Sequence, residues 1–289
     1  MFRRPSMSPW ARAGMIDPAE LTGPSLELHW AIQLLAAAGQ TFAESRQDDS
    51  HRAMSWAPEL DAFVGAPFAG TYPFRLALKP TTMDVFILDR TSEALSSFHL
   101  PGHTLGEAAE WLRLGMATYM GGPLPLLASP RYEIPEHPVG DEAPFSQGLA
   151  REMDTLAALY GSAAALLEDR FGERPGASRV LCWPHHFDIA TRITPTAGEA
   201  RAPKRVVRLG LAPMGKGFAT WHWYVSLLPL PETSRLPSLT APGGWHTGGW
   251  TGAVLTGEDL VPFPAHRRAR VVGDFLDEAV AAALAAYDQ

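Results

Sequence analysis

The densest group of chemically active side chains lies between Cys182 and Ile193, in the stretch C-W-P-H-H-F-D-I-A-T-R-I. Imidazole and carboxylate groups are common proton donors, proton acceptors and metal ligands in proteins. Side chains alternate between faces along an extended strand, so His186 and Asp188 are predicted to share one face, opposite His185. A kink at Pro184 would aim both histidines elsewhere. A buried carboxylate needs partners, so Asp188 is the group whose neighbours matter most.

Two later segments place histidines beside aromatic residues. In W-H-W-Y, alternation puts His222 and Tyr224 on the face opposite the two tryptophans. The second segment, G-G-W-H-T-G-G-W-T-G at 243–252, contains Trp245 and His246. Its glycines let a backbone approach a ligand closely, and a histidine between two tryptophans resembles the wall of a pocket. The alternative for this segment is a Gly-rich surface loop that its tryptophans hold in place.

These segments lead to three hypotheses of function. The first is a protein that binds a small molecule in a pocket lined by Trp and His around Asp188. Its predicted ligand-binding residues are His186, Asp188, His222, Tyr224, Trp245 and His246. The second is a non-catalytic structural or interaction protein, in which backbone, indole and imidazole donors satisfy Asp188. The third is a metal-dependent hydrolase or oxygenase that uses two histidines and a carboxylate.

No complete catalytic signature accompanies these residues, so the sequence assigns no catalytic residue, metal ligand or cofactor. The histidine spacings match neither His-Glu-x-x-His nor a Cys/His zinc pattern. The Gly-x-Ser-x-Gly elbow and the Lys-Ser/Thr of a phosphate loop are absent as well. Cys182 has apolar flanks, which are more typical of an inert core cysteine than of a nucleophile.

Composition excludes several classes of protein. The chain has 289 residues and a formal net charge of −7, whereas phosphate recognition needs clustered Lys and Arg. A single cysteine excludes an internal disulfide, and no window approaches the roughly 18 consecutive apolar residues of a membrane span. The N-terminus lacks the apolar run of a secretory signal. We therefore predict a cytoplasmic protein that has neither nucleic acid nor membrane as a partner, and its possible ligand is a small molecule. The preference for Arg over Lys suggests a GC-rich bacterial genome.

Hydrophobic periodicity predicts an α+β fold with two helix-flanked, mainly antiparallel sheet halves. Helices are predicted from Ser25 for about 20 residues, and at 104–119, 146–171 and 266–287. The second helix starts with a capping box, Thr104 with Glu107. Extended segments are predicted at 60–64, 74–78, 83–88, 179–183, 185–193, 205–211, 218–228 and 253–255.

Proline and glycine content divides the chain into regions. These are an irregular N-terminal arm at 1–24, a first α+β half at 25–120, a Pro/Gly-rich linker at 121–145 and a second half at 146–289 that carries both motifs. The sequence R-L-A-L-K-P at 75–80 is echoed by R-L-G-L-A-P at 208–213. This echo suggests that the two halves are a pseudo-duplication.

The motifs W-P-H-H-F-D-I-A-T at 183–191 and G-G-W-H-T-G-G-W-T-G-A-V-L at 243–255 resemble those of an uncharacterised family of bacterial proteins of unknown function. The resemblance is clearest over about residues 145–285, and the first half is similar only in its order of elements. It implies the same order of helices and strands and a cytoplasmic location. It implies no reaction.

Overall fold

The computed structural model describes residues 10, 16–195, 205–215, 217–229, 233 and 236–287. The described residues confirm the α+β class with two antiparallel sheets. The α-helices are α1 (Thr22–Phe42), α2 (Leu105–Met120), α3 (Ala150–Phe171), α4 (Gly257–Leu260) and α5 (Ala265–Tyr287). The strands are β1 (Ser55–Ala57), β2 (Ala62–Val64), β3 (Arg75–Lys79), β4 (Asp84–Leu88), β5 (Ala94–His99), β6 (Leu181–Trp183), β7 (Asp188–Ile193), β8 (Val206–Ala212), β9 (His222–Leu228), β10 (Gly244–His246) and β11 (Gly252–Thr256).

The first sheet is a meander in the order β1-β2-β3-β4-β5. The second sheet has the order β10-β11-β9-β8-β7-β6, so β11 rather than β10 pairs with β9. Along β7, β8 and β9, the apolar residues Val, Leu, Ile and Trp occupy alternate positions and therefore share one buried face of the sheet. The opposite face carries Asp188, Tyr224 and two arginines, and we call it the polar face.

The chain forms two compact units. The N-terminal unit comprises Gly23–Ala157 with Leu181–Phe187, and the C-terminal unit comprises Met1–Thr22, Ala158–Val180 and Asp188–Gln289. The region that was predicted to be a linker, 121–145, falls inside the N-terminal unit. Three unit boundaries follow this region, one within α3, one at the start of β6 and one at the start of β7.

Three local predictions, on a helix cap, a helix start and the N-terminal arm, can be compared with the structure. The capping box is present, since Thr104 accepts from the backbone of Glu107 and the Glu107 carboxylate accepts from the backbone of Thr104. Helix α1 begins at Thr22, earlier than predicted, because the missing N–H of Pro24 costs nothing in a first helical turn. Of the predicted N-terminal arm, residues 1–9 and 11–15 lie outside the described residues, and Pro18–Leu21 forms a 3-10 helix.

Two predictions of extended structure need correction. The segment 185–193 is not one strand, because 184–187 form a turn and β7 begins only at Asp188. Conversely, part of the Gly- and Trp-rich segment is a strand, since β10 pairs with β11 through Trp245 and Ala253. The glycines suggested a loop there, but an edge strand needs only one neighbour to satisfy its backbone.

The turn at 184–187 recurs twice in the first sheet. The loops P-E-L-D between Ala57 and Ala62 and P-T-T-M between Lys79 and Asp84 also contain four residues that start with proline. In all three turns the fourth residue has a positive φ, near +52° at Asp61 and Met83 and +53° at Phe187. Four-residue hairpin loops commonly combine a type I turn with a left-handed residue. The two middle positions, which hold His185 and His186 in one turn, therefore accept varied residues.

None of the described helices is both long enough and apolar enough to cross a membrane.

Candidate functional site

The W-P-H-H-F turn is held in place by helix α1 within the N-terminal unit. The carbonyl oxygen of Pro184 accepts from His29 Nε2 at 2.7 Å and from Gln33 Nε2 at 3.0 Å. A carbonyl only accepts hydrogen bonds, so the proton of His29 lies on Nε2. The Tyr132 hydroxyl donates to Gln33 Oε1 at 2.7 Å and extends the network. His29 is buried, and its side chain serves this turn.

Phe187 anchors the same turn through its ring. It is completely buried, with its ring centroid 5.2 Å from that of His29 and 5.8 Å from that of Phe63. His185 is half-buried and His186 is exposed, and their ring centroids lie 4.2 Å apart. Because His186 lies in a turn, the alternation that was predicted to put it on one face with Asp188 does not apply.

Four of the predicted residues share the polar face of the second sheet. Directly paired residues point to the same face, and Tyr224 pairs with Gly210 while His222 pairs with Ala212. His246 pairs with Gly252, which in turn pairs with Ser226, two residues from Tyr224. Asp188 belongs to the same face through Ala190, which pairs with Gly210. The structure therefore groups Asp188, His222, Tyr224 and His246 on this face.

The remaining two predicted residues lie elsewhere. His186 belongs to the N-terminal unit, whereas the other five belong to the C-terminal unit. Trp245 is adjacent to His246 in β10 and therefore projects from the opposite face. Its indole Nε1 donates to the carbonyl oxygen of Pro237 at 2.6 Å.

A hydrogen bond between Tyr224 and Asp188 spans the middle of the polar face. Tyr224 lies in β9 and Asp188 in β7, so the tyrosine side chain crosses the intervening strand β8 to donate to Asp188 Oδ2. Small residues on β8 permit this crossing, because the residue opposite Tyr224 is Gly210 and the next on that face is Ala212. Gly210 has no space for a side chain, since a Cβ there would lie 2.3 Å from the carbonyl oxygen of Ile189.

Asp188 is more than nine-tenths buried, at 8% relative exposure, and one of its two oxygens has no hydrogen-bond partner among the described residues. No donor among the described residues reaches Oδ1, although Oδ2 accepts from Tyr224. A buried acceptor without a donor costs about 1–3 kcal/mol, and more when it is charged. Such a group in a folded protein calls for an explanation, and a functional role is one of those that occur.

The tyrosine of this pair stays protonated. Burial raises the pKa of Tyr224 well above its usual range, and the charge of Asp188 and its hydrogen bond raise it further. Arg208 opposes this shift. Tyr224 is therefore a hydrogen-bond donor at neutral pH and cannot act as a base there. The pair presents one free carboxylate oxygen, which suits the recognition of an ammonium or hydroxyl group.

Aromatic rings form one border of the polar face. The ring centroid of Phe218 lies 4.5 Å from that of His222 and 5.1 Å from that of His246. Trp250 lies 4.9 Å from His246 by the same measure, over Gly252, where an added Cβ would come within 2.5 Å of the indole. Both histidines donate to backbone, His222 Nδ1 to Thr220 at 3.1 Å and His246 Nε2 to Gly248 at 2.6 Å.

The described residues contain no group of three or more His, Cys, Asp or Glu side chains placed to hold a metal ion. The third hypothesis, a metal site made of two histidines and a carboxylate, therefore finds no set of ligands among them. A charged surface depression at the C-terminal end of α3 involves none of the predicted site residues; it is lined by Glu168, Asp169, Arg170, Glu173 and Arg174.

Two arginines of the polar face were missed by the reasoning from sequence. Arg192 and Arg208 are exposed and pair directly across β7 and β8. The sequence did contain a signal for Arg192, because Asp188, Ala190 and Arg192 follow each other at intervals of two residues and so share one face of a strand. Only the register of β8 shows that the second arginine lies beside the first.

Comparisons with protein-family models, curated proteins and solved structures found no match for this chain.

Tyrosine ionisation offers a direct check of the buried hydroxyls. Burial raises the pKa of Tyr132 to about 12, and that of Tyr224 also lies well above its usual range. Folding thus favours the protonated forms, so their contribution to stability is complete below pH 10 and is lost as the pH rises toward 12. Tyrosinate absorbance of the folded chain should therefore contain a component that appears only well above pH 10. Titration of all six tyrosines together near pH 10 would contradict this prediction.

Proposed function

We propose that the protein binds a small molecule on the polar face of its second sheet, with Asp188 Oδ1 as the acceptor for an ammonium group of the ligand. The single observation that supports this function is the asymmetry of the Asp188 carboxylate. One oxygen accepts from Tyr224, whereas the other is buried without a donor among the described residues. An ammonium group would supply both the missing hydrogen bond and a compensating charge.

The rest of the face supports a binding role. Tyr224 holds Asp188 in one orientation, so the free oxygen is pre-organised and less conformational entropy is lost when a ligand binds. Phe218, His246 and Trp250 provide an aromatic border for the apolar part of a ligand. We propose ligand binding as the role of this face.

Hexylamine is a suitable first probe, because it combines an ammonium group with a short apolar chain. Isothermal titration calorimetry should detect its binding to the wild-type chain and a loss of at least about tenfold in affinity in Asp188→Asn, the equivalent of 1.4 kcal/mol. Asp274→Asn removes an exposed carboxylate from α5 and is the matched control, which should bind as the wild type does. Equal binding by all three proteins would refute the role of Asp188. Loss of stability in Asp188→Asn, without binding by any protein, would favour the structural or interaction role.

We also propose that the protein works in the cytoplasm of a bacterium and uses neither nucleic acid nor membrane. Its net charge of −7, its single cysteine and its preference for Arg over Lys support this setting. Fractionation of cells that express the full chain, with detection by antibody, tests the location. Recovery from the membrane fraction or the medium would contradict it.

A further inference from the structure

A row of donors crosses the polar face at its exposed end. Arg192 pairs with Arg208, Arg208 pairs with Ser226, and Ser226 pairs with Gly252. Paired residues point to the same face, so two guanidinium groups and one hydroxyl lie side by side on three adjacent strands. Gly252 ends the row under the ring of Trp250.

These donors have no anionic partner in the part of the chain that the structure describes. No carboxylate there forms an ion pair with Arg192 or Arg208, and the Ser226 hydroxyl has no hydrogen-bond partner there. Like charges directly opposite each other on a sheet are unfavourable. An oxyanion between them would remove that repulsion, and the planar guanidinium group matches carboxylate and phosphate geometry with two parallel hydrogen bonds.

The row lies on the same face as the carboxylate of Asp188. The charge of one of its arginines also acts on the tyrosine that binds this carboxylate. Arg208 is two residues from Gly210, the residue opposite Tyr224, and its charge acts on the Tyr224 hydroxyl. Along β7, Arg192 lies four positions after Asp188, which corresponds to about 13 Å between their Cα atoms. Ala190 is the only residue between them on this face, so no large side chain of β7 separates the two ends.

We propose that Arg192, Arg208 and Ser226 form an oxyanion subsite, so that the ligand of the polar face carries an ammonium group at one end and a carboxylate or phosphate at the other. This inference rests on the proposed function, because Asp188 binds the ammonium end. It adds the second charge and the length of the ligand. Arginine side chains are long, so the guanidinium groups can lie closer to Asp188 than the Cα atoms do. An aliphatic spacer of several carbons would then connect the ammonium group of the ligand to its oxyanion.

Matched probes separate the two ends of such a ligand. Hexylamine carries the ammonium group alone, hexanoate the oxyanion alone, and 6-aminohexanoate and 6-aminohexyl phosphate carry both. Calorimetry with the full chain should give tighter binding, by about tenfold or 1.4 kcal/mol, for at least one of the two-ended probes than for hexylamine. The stronger of the two identifies carboxylate or phosphate as the natural oxyanion.

Variants then assign the subsite. In Arg208→Gln and in Arg192→Gln, the two-ended probes should lose about tenfold in affinity, or 1.4 kcal/mol, while hexylamine binding should not weaken. Arg270→Gln removes one exposed guanidinium group from α5 and should change neither. Far-ultraviolet circular dichroism and the thermal midpoint verify that each variant is folded.

The outcomes distinguish the two proposals. Hexylamine binding that depends on Asp188, with no gain from either oxyanion, would overturn the subsite and leave the proposed function intact. A gain that persists in both arginine variants would also overturn it. If none of the four probes binds to the wild-type chain, both proposals fail.

Discussion

Tyr224→Phe is expected to lower the free energy of unfolding by about 2–3 kcal/mol, because it leaves a buried carboxylate with no hydrogen bond on either oxygen. The Asp188 side chain is still present in this variant but loses its only hydrogen-bond donor among the described residues. Phenylalanine retains the aromatic ring, so the loss of stability measures the contribution of the hydroxyl group and not that of ring packing. Urea unfolding, followed by circular dichroism, measures the change.

A second substitution shows whether the carboxylate charge causes this loss. Asp188→Asn retains an oxygen that can accept from Tyr224 and removes the buried charge, so we expect stability within about 1 kcal/mol of the wild type. In that background, Tyr224→Phe should cost only about 1 kcal/mol, the net value of an uncharged hydrogen bond. The difference is a coupling energy between the two residues. If the loss of stability in the double variant equals the sum of the losses in the two single variants, the residues act independently.

Phe187→Ala should be the most destabilising change in the W-P-H-H-F turn, with a loss of about 3–5 kcal/mol. The ring is fully buried against His29 and Phe63, whereas the left-handed backbone at φ +53° costs a non-glycine residue only about 1–2 kcal/mol. Burial therefore outweighs backbone strain at this position. Phe187→Gly should lose about 1 kcal/mol less than Phe187→Ala, because glycine adopts this φ freely.

The related turn between β1 and β2 provides the control. Asp61 has φ +52° and is only half-buried, so Asp61→Gly should leave stability unchanged or raise it by up to about 1 kcal/mol. His186→Ala, at an exposed middle position of the turn, should change it by less than about 0.5 kcal/mol. Thermal and urea unfolding of the four variants give the comparison. A loss in His186→Ala as large as that in Phe187→Ala would contradict this ranking.

Local patterns predicted most of the secondary structure. The capping box of α2 depends on two residues three positions apart, and the opposite faces of His222 and Trp223 follow from alternation within β9. The extended prediction at 185–193 failed for a local reason too. Three prolines, at 58, 80 and 184, each open a four-residue turn, and that repeated pattern would have indicated that His185 and His186 lie in a turn.

The sequence alone determined the α+β class, the main helices and the alternation that groups His222 with Tyr224, because these features depend on neighbours within a few residues. Only the tertiary structure showed that Tyr224 reaches Asp188, 36 residues away, and that Arg192 and Arg208 lie side by side. Both facts depend on the order and register of β7, β8 and β9, and a shift of one residue would turn each side chain to the other face. Register is selected by the buried apolar face as a whole, so no single motif encodes the polar face opposite it.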